Sequence, residues 1–133
     1  MPSNTQAAGV AYSDPEFTTC YASQEIGYSA AAQGAVTQLT SKSTAVTLNN
    51  SAGRITMNNA SLATATNATF TLSNTTISAN DAVILTISGG QATAGSYNAF
   101  ANALAAGTVS ITLRNISGGT LSEAVVINFA VIH

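Results

Sequence analysis

Thr108-Val109-Ser110-Ile111-Thr112-Leu113-Arg114 decides the fold class of this chain. Val109, Ile111 and Leu113 alternate with Ser110, Thr112 and Arg114, a period of two that sets the apolar side chains on one face of an extended strand and the polar ones on the other. A helix would scatter the same residues around its axis, so the pattern selects a strand with one face against a core and one in water. Ile116-Ser117-Gly118-Gly119-Thr120 then turns the chain into Ala124–Ile132, apolar on both faces except at Asn128, which predicts a central strand.

The alternation extends outward from that point. Val83, Leu85 and Ile87 alternate with Ile84, Thr86 and Ser88 and stop at Gly89-Gly90; Phe70 and Leu72 alternate with Thr69, Thr71 and Ser73. Val46 and Leu48 precede the loop Asn49-Asn50-Ser51-Ala52-Gly53, and Ile55 and Met57 follow it on one face, a spacing that predicts a hairpin. Tyr97 opens a weaker segment with Phe100 and Leu104, whose alanines are compatible with a helix over 97–105; strand followed by loop is the favoured reading. Strands are expected near 35–39, 45–48, 54–58, 68–73, 82–88, 96–101, 108–114 and 123–132. About eight short strands at regular spacing predict an all-β fold, an antiparallel, jelly-roll-like β-sandwich over residues 33–133. Thr and Val dominate these stretches while Glu, Lys, Arg and Gln are scarce, so local preference agrees with the pattern.

Residues 1–32 have no sustained period. Isolated aromatics (Tyr12, Phe17, Tyr21, Tyr28) stand among Ala, Gln, Ser and Thr, and three of the four tyrosines of the chain lie here. The segment reads as an extended N-terminal arm, with Tyr12, Tyr21 and Tyr28 as candidate contacts to a partner, because Tyr suits surfaces that are apolar at one end and wet at the other. The competing reading is a terminus packed on its own domain.

Of 133 residues only three are basic and five acidic, while 46% are hydrophobic; an ordinary soluble domain is about one-quarter charged. Lys42, Arg54 and Arg114 form no basic stripe, which argues against nucleic acid and against an anionic membrane surface as partners. Every apolar run is broken by Ser, Thr, Asn or Gly before the roughly 20 residues of a membrane helix. Met1-Pro2-Ser3-Asn4-Thr5 lacks the pattern of a secretory signal, and the single cysteine, Cys20, cannot staple the chain internally; synthesis in a cytosol is expected.

Catalytic groups are equally sparse. His133 is the one histidine and the last residue; Cys20 has no cation near it in sequence. The carboxylates are Asp14, Glu16, Glu25, Asp81 and Glu123. Asp81 and Glu123 each precede an apolar strand, where an acid usually ends a turn or faces water, and a glycosidase pair drawn from them is a remote expectation. No metal-ligand spacing and no phosphate-cradling loop is present, so no cofactor or metal is expected and the chain reads as a non-enzyme. Asn49, Asn59, Asn67, Asn74 and Asn115 each start an Asn-x-Ser/Thr triplet, attributed here to composition. For a sugar ligand the candidate is Tyr97, with Phe100 a weaker stacking surface whose expected place is the core.

Gly34-Ala35-Val36-Thr37-Gln38-Leu39-Thr40-Ser41-Lys42-Ser43-Thr44-Ala45-Val46-Thr47-Leu48-Asn49, with Gly53-Arg54-Ile55-Thr56-Met57-Asn58-Asn59-Ala60 and the ending Leu121-Ser122-Glu123-Ala124-Val125-Val126-Ile127-Asn128-Phe129-Ala130-Val131-Ile132, resembles a family of small structural proteins of tailed bacteriophages and prophages. The similar run covers residues 33–132 and includes Phe70-Thr71-Leu72 and Ser110-Ile111-Thr112-Leu113-Arg114-Asn115. That resemblance implies a non-enzymatic virion component assembled in the bacterial cytoplasm, a homotrimer on the capsid surface acting as a cement or decoration protein against the major capsid protein. The alternative is a tail-fibre or receptor-binding module that recognises host surface glycan.

Overall fold

The computed structural model describes residues 17–133. A short 3-10 turn, Ala30–Ala32, leads into eight strands: β1 (Gln33–Thr37), β2 (Val46–Thr47), β3 (Ala52–Thr56), β4 (Asn67–Ser73), β5 (Ala82–Gly89), β6 (Tyr97–Ala105), β7 (Thr108–Asn115) and β8 (Val126–Ile132). They form two four-stranded sheets, ordered β1-β3-β8-β5 (sheet A) and β2-β4-β7-β6 (sheet B), an arrangement consistent with a β-sandwich. Both sheets send alternate residues into one core. Ile55, Ile127, Phe129 and Val131 come from sheet A, and Phe70, Leu72, Val109, Ile111 and Leu113 from sheet B, all less than 5% exposed.

The inward half of the alternation of residues 108–114 is realised as expected, with Val109, Ile111 and Leu113 at 1%, 0% and 0% exposure; Thr112, expected in water, is 3% exposed, bonded through its hydroxyl to Thr69 and Asn102. β7 lies between β4 and β6, and β8 between β3 and β5. The expectation of a central last strand therefore holds, and the last two strands of the chain are both interior, one in each sheet. Where strand and loop were expected, β6 runs unbroken to Ala105, because it pairs with β7 along its length and absorbs a register shift between Ala101 and Ala103.

Two expectations are corrected. The sheets are mixed: β1 pairs with β3, and β2 with β4, in parallel, so the all-antiparallel pairing of a jelly roll is not what these strands adopt. The hairpin over Val46–Met57 is also absent, since β2 belongs to sheet B and β3 to sheet A. The cause is an alternation of layers. From β1 to β6 each successive strand crosses to the other sheet, so strands that return to one sheet point the same way. β7 then folds back antiparallel on β6, and β8 enters sheet A antiparallel to β3 and β5.

Close packing permits the crossing at residues 48–52. Gly34 and Gly53 are register partners, and a Cβ on either would sit 2.8 or 2.7 Å from a methyl of Leu48. The missing side chains make the notch into which Leu48 packs. The loop is held to β4 instead of pairing β2 with β3: Leu48 N donates to Ser73 O at 3.0 Å, Asn74 Nδ2 to Asn50 O at 2.7 Å, and Thr75 N to Asn49 Oδ1 at 3.0 Å.

Candidate interaction surface

Because side chains alternate across a strand, burying Ile55, Ile127 and Leu85 turns their neighbours outward. Cα partners give two rows across the outer face of sheet A: Gln33, Ala52, Ala130, Ile84, and Ala35, Arg54, Asn128, Thr86. Ala82 and Ile132 pair at the end of the β5–β8 ladder. Arg54 is the one charged group in these rows. Small side chains form the floor around it, and a depression of about 360 Å³ is bounded by Ala35, Ala52, Arg54 and Asn128. Ile84 and Ile132 stay half exposed, at 50% and 51%.

One long edge strand of each sheet, β5 of sheet A and β6 of sheet B, is unprotected. β5 and β6, eight and nine residues long, contain no charged residue and no proline, whereas exposed edge strands are ordinarily blocked by such residues.

Residues 17–29 hold no helix or strand, and all are exposed. Tyr28 is the exception in contact terms. Its hydroxyl donates to the main-chain oxygen of Val131, and Gln33 Nε2 donates to Tyr28 O at 3.0 Å. This pins the segment over the end of β8, leaving an apolar groove of about 500 Å³ lined by Ile26, Tyr28, Ala130 and Ile132. Beyond it Tyr21 and Phe17 stand in solvent, and Cys20 is exposed. The expected contacts thus separate: Tyr28 anchors, Tyr21 projects, and Tyr12 lies outside the described residues.

Tyr97 is corrected as a sugar contact. Its ring points inward at the start of β6 and is 5% exposed, so no pyranose can stack on it. Phe100 is corrected in the opposite sense: at 38% exposure it lies on the outer face of sheet B, register partner of Thr112.

A buried polar cluster was not anticipated. Lys42 is 4% exposed, and its ammonium donates to the main-chain oxygens of Asn58 and, at 2.5 Å, Glu123. Gln38 shapes the turn that carries it, donating from Nε2 to Lys42 O at 3.0 Å and Thr44 O at 2.9 Å. Burial lowers the Lys42 pKa from its ordinary value, with the Glu123 charge opposing. Glu123 Oε1 accepts from Ala92 N at 2.7 Å, while Glu123 Oε2, Tyr97 Oη and Gln91 Oε1 are buried without a partner of standard geometry. Burial first, then the nearby Glu123 carboxylate, raises the Tyr97 phenol above its ordinary value. The cluster ties the β1–β2 connection to the segment preceding β8. Only one sequence signal pointed to it, a lone lysine in a chain almost free of charge.

Asp81 and Glu123 flank opposite ends of the β5–β8 ladder, about 20 Å apart at the rise of a strand, too far to act as a carboxylate pair. Asp81 Oδ2 instead meets His133 Nδ1 at 2.9 Å and accepts from Ser78 N at 2.7 Å. Among the described residues no three His, Cys, Asp or Glu side chains gather as metal ligands, and no helix is long and apolar enough to cross a membrane.

Two of the Asn-x-Ser/Thr triplets have a structural use. Asn74 and Asn115 are buried, and each Oδ1 accepts from both the main-chain N–H and the hydroxyl of the residue two ahead, Thr76 and Ser117. These are Asx turns in which the third residue supplies an extra donor.

Comparison with protein families, with curated proteins and with solved structures returned no match.

Proposed function

We propose that the chain is a structural component of a tailed-bacteriophage virion, a cement or decoration protein that sits on the capsid as a homotrimer and contacts the major capsid protein. One observation carries this reading: each sheet ends in a long edge strand without charge or proline, and the central rows on the outer face of sheet A hold a single charge. A surface of this kind is suited to being covered. An interface of ordinary size buries about 800 Å² per partner, and much of the gain is offset by ordering and desolvation. Many identical contacts across a shell compensate for that weakness.

The test is to count copies per particle and locate them by imaging intact virions. Hundreds distributed over the head are expected. A small number confined to the tail would overturn the cement reading. Removing residues 1–32 is expected to abolish attachment while the strands still fold, and full occupancy would overturn the part assigned to the arm.

The second reading, a tail-fibre module for host glycan, is favoured by Phe100, exposed on one face of β6 with Asn98 and Asn102 nearby in the same edge strand. It predicts binding on a glycan array that is lost in Phe100→Ala.

A further inference from the structure

We infer that residues 17–25 of one copy lie across the outer face of sheet A of a second copy, with Glu25 of the incoming segment beside Arg54 of the receiving face. This deepens the proposed function and rests on its premise that the protein works as assembled copies. Charge is the first argument. Residues 1–32 contain Asp14, Glu16 and Glu25 and no Lys or Arg, a net charge of −3; residues 33–133 contain Lys42, Arg54 and Arg114 against Asp81 and Glu123, a net charge of +1. Lys42 is buried and Arg114 donates to Asn67 Oδ1 at 3.0 Å. Arg54 is left as the exposed cation on sheet A, and among the described residues the sole ion pair is His133 with Asp81.

Apolar surface is the second argument. Phe17, Tyr21 and Ile26 are 57%, 89% and 82% exposed, and Ile84 and Ile132 remain half exposed on the face beneath. A segment folded back along its whole length on its own sheet would cover both sets; here only residues 26–28 border their own face, at Ala130 and Ile132, and Phe17 and Tyr21 remain uncovered.

Length is the third. Nine extended residues, 17–25, reach about 30 Å, whereas four strands put the outer strand axes about 14 Å apart. The segment can cross a neighbour's whole sheet. Arm onto face is a heterologous contact, which closes into a ring when the rotation allows and so fits a cyclic trimer.

Cross-linking of the isolated protein tests this directly. In the full chain carrying Cys20→Ser, Glu25→Cys and Arg54→Cys, mild oxidation is expected to yield covalent oligomers on a non-reducing gel. A monomer with an internal disulfide, or no link at all, would overturn the inference. Independently, Glu25→Arg and Arg54→Glu are each expected to weaken self-association about tenfold by sedimentation, and an equimolar mixture of the two variants to recover it in part, since a three-membered ring of two variants restores two of its three contacts; association unchanged in both variants would also overturn it. No capsid is present in either experiment. Cross-linked oligomers that leave capsids bare would count against the capsid reading alone, and full capsid occupancy without cross-links against this inference alone.

Discussion

Lys42 Nζ lies 2.5 Å from the main-chain oxygen of Glu123, 81 residues away in sequence, so the only lysine of the chain fastens the β1–β2 connection to the segment that leads into β8, an interior strand of sheet A. The ammonium also satisfies Asn58 O. Buried carbonyls left without a donor are costly, which makes this contact a structural one with measurable weight.

Lys42→Met keeps the aliphatic bulk and removes the donors. It is expected to cost about 2–3 kcal/mol, read as a lower urea midpoint with an unchanged m-value. The pH dependence is distinctive. The folded pKa lies below the unfolded 10.5, so below the folded value the cost of burying the charge is fully present. As pH rises towards 10.5 the native state sheds its proton first, and this group's contribution to stability rises. Lys42→Met lacks that rise.

Tyr97 acts in the opposite direction. Its folded pKa is raised above 10.0, so above pH 10 the unfolded state ionises first and stability falls as pH climbs towards the folded value. Tyr97→Phe removes a buried hydroxyl that has no partner of standard geometry. It is expected to be neutral or to stabilise by up to about 1 kcal/mol at pH 7, and to flatten the alkaline loss in a urea series from pH 8 to 11.

Gly53→Ala is expected to destabilise by about 1–3 kcal/mol, the usual range for overpacking, because the new Cβ would meet a Leu48 methyl at 2.7 Å and Gly34 O at 2.9 Å. Adding Leu48→Ala removes one of those two obstacles. A double-mutant cycle by thermal melting should therefore show the pair costing less than the two single changes added together. Strict additivity would mean that Leu48 does not occupy the notch.

Gly90→Ala should be the most damaging glycine change. Gly90 has φ +78°, and its added Cβ would fall 1.9 Å from Ala124 O, a main-chain atom that cannot move aside. Strain and collision combine, and a loss of more than about 3 kcal/mol is expected, read as a sharply lowered melting temperature or failure to fold in far-UV circular dichroism.

Asn115→Ala removes four contacts at once: Nδ2 donates to Leu62 O and Gly119 O at 2.8 Å, and Oδ1 accepts from Ser117 N and Oγ. A cost of about 3 kcal/mol is expected. Ser117→Ala keeps the main-chain bond and should cost about 1 kcal/mol, so the two variants measured side by side by urea melting separate the Asx turn from its hydroxyl.

Much of this fold is legible residue by residue. A period of two is a local property of the backbone, and Val109, Ile111 and Leu113 on one side of Ser110, Thr112 and Arg114 dictate both a strand and the face it buries. The same holds for Phe70 with Leu72 and for the doubly apolar β8. β6 was less legible, because an edge strand of small residues buries too little to enforce strict alternation. Lys42, Glu123 and Tyr97 were not legible as a group, since they lie on three distant segments that meet only after the layers close.

What the sequence determined by itself is the inventory: eight strands, their inward faces, the turn residues between them, and a surface almost without charge. Partner choice belongs to the tertiary structure. Whether β2 pairs with β3 or crosses to the other sheet depends on the notch at Gly34 and Gly53 and on hydrogen bonds to Asn74 and Ser73, contacts made between segments remote in the chain. Alternation specifies which side of a strand is buried, and only packing between the layers decides which strand lies beside it.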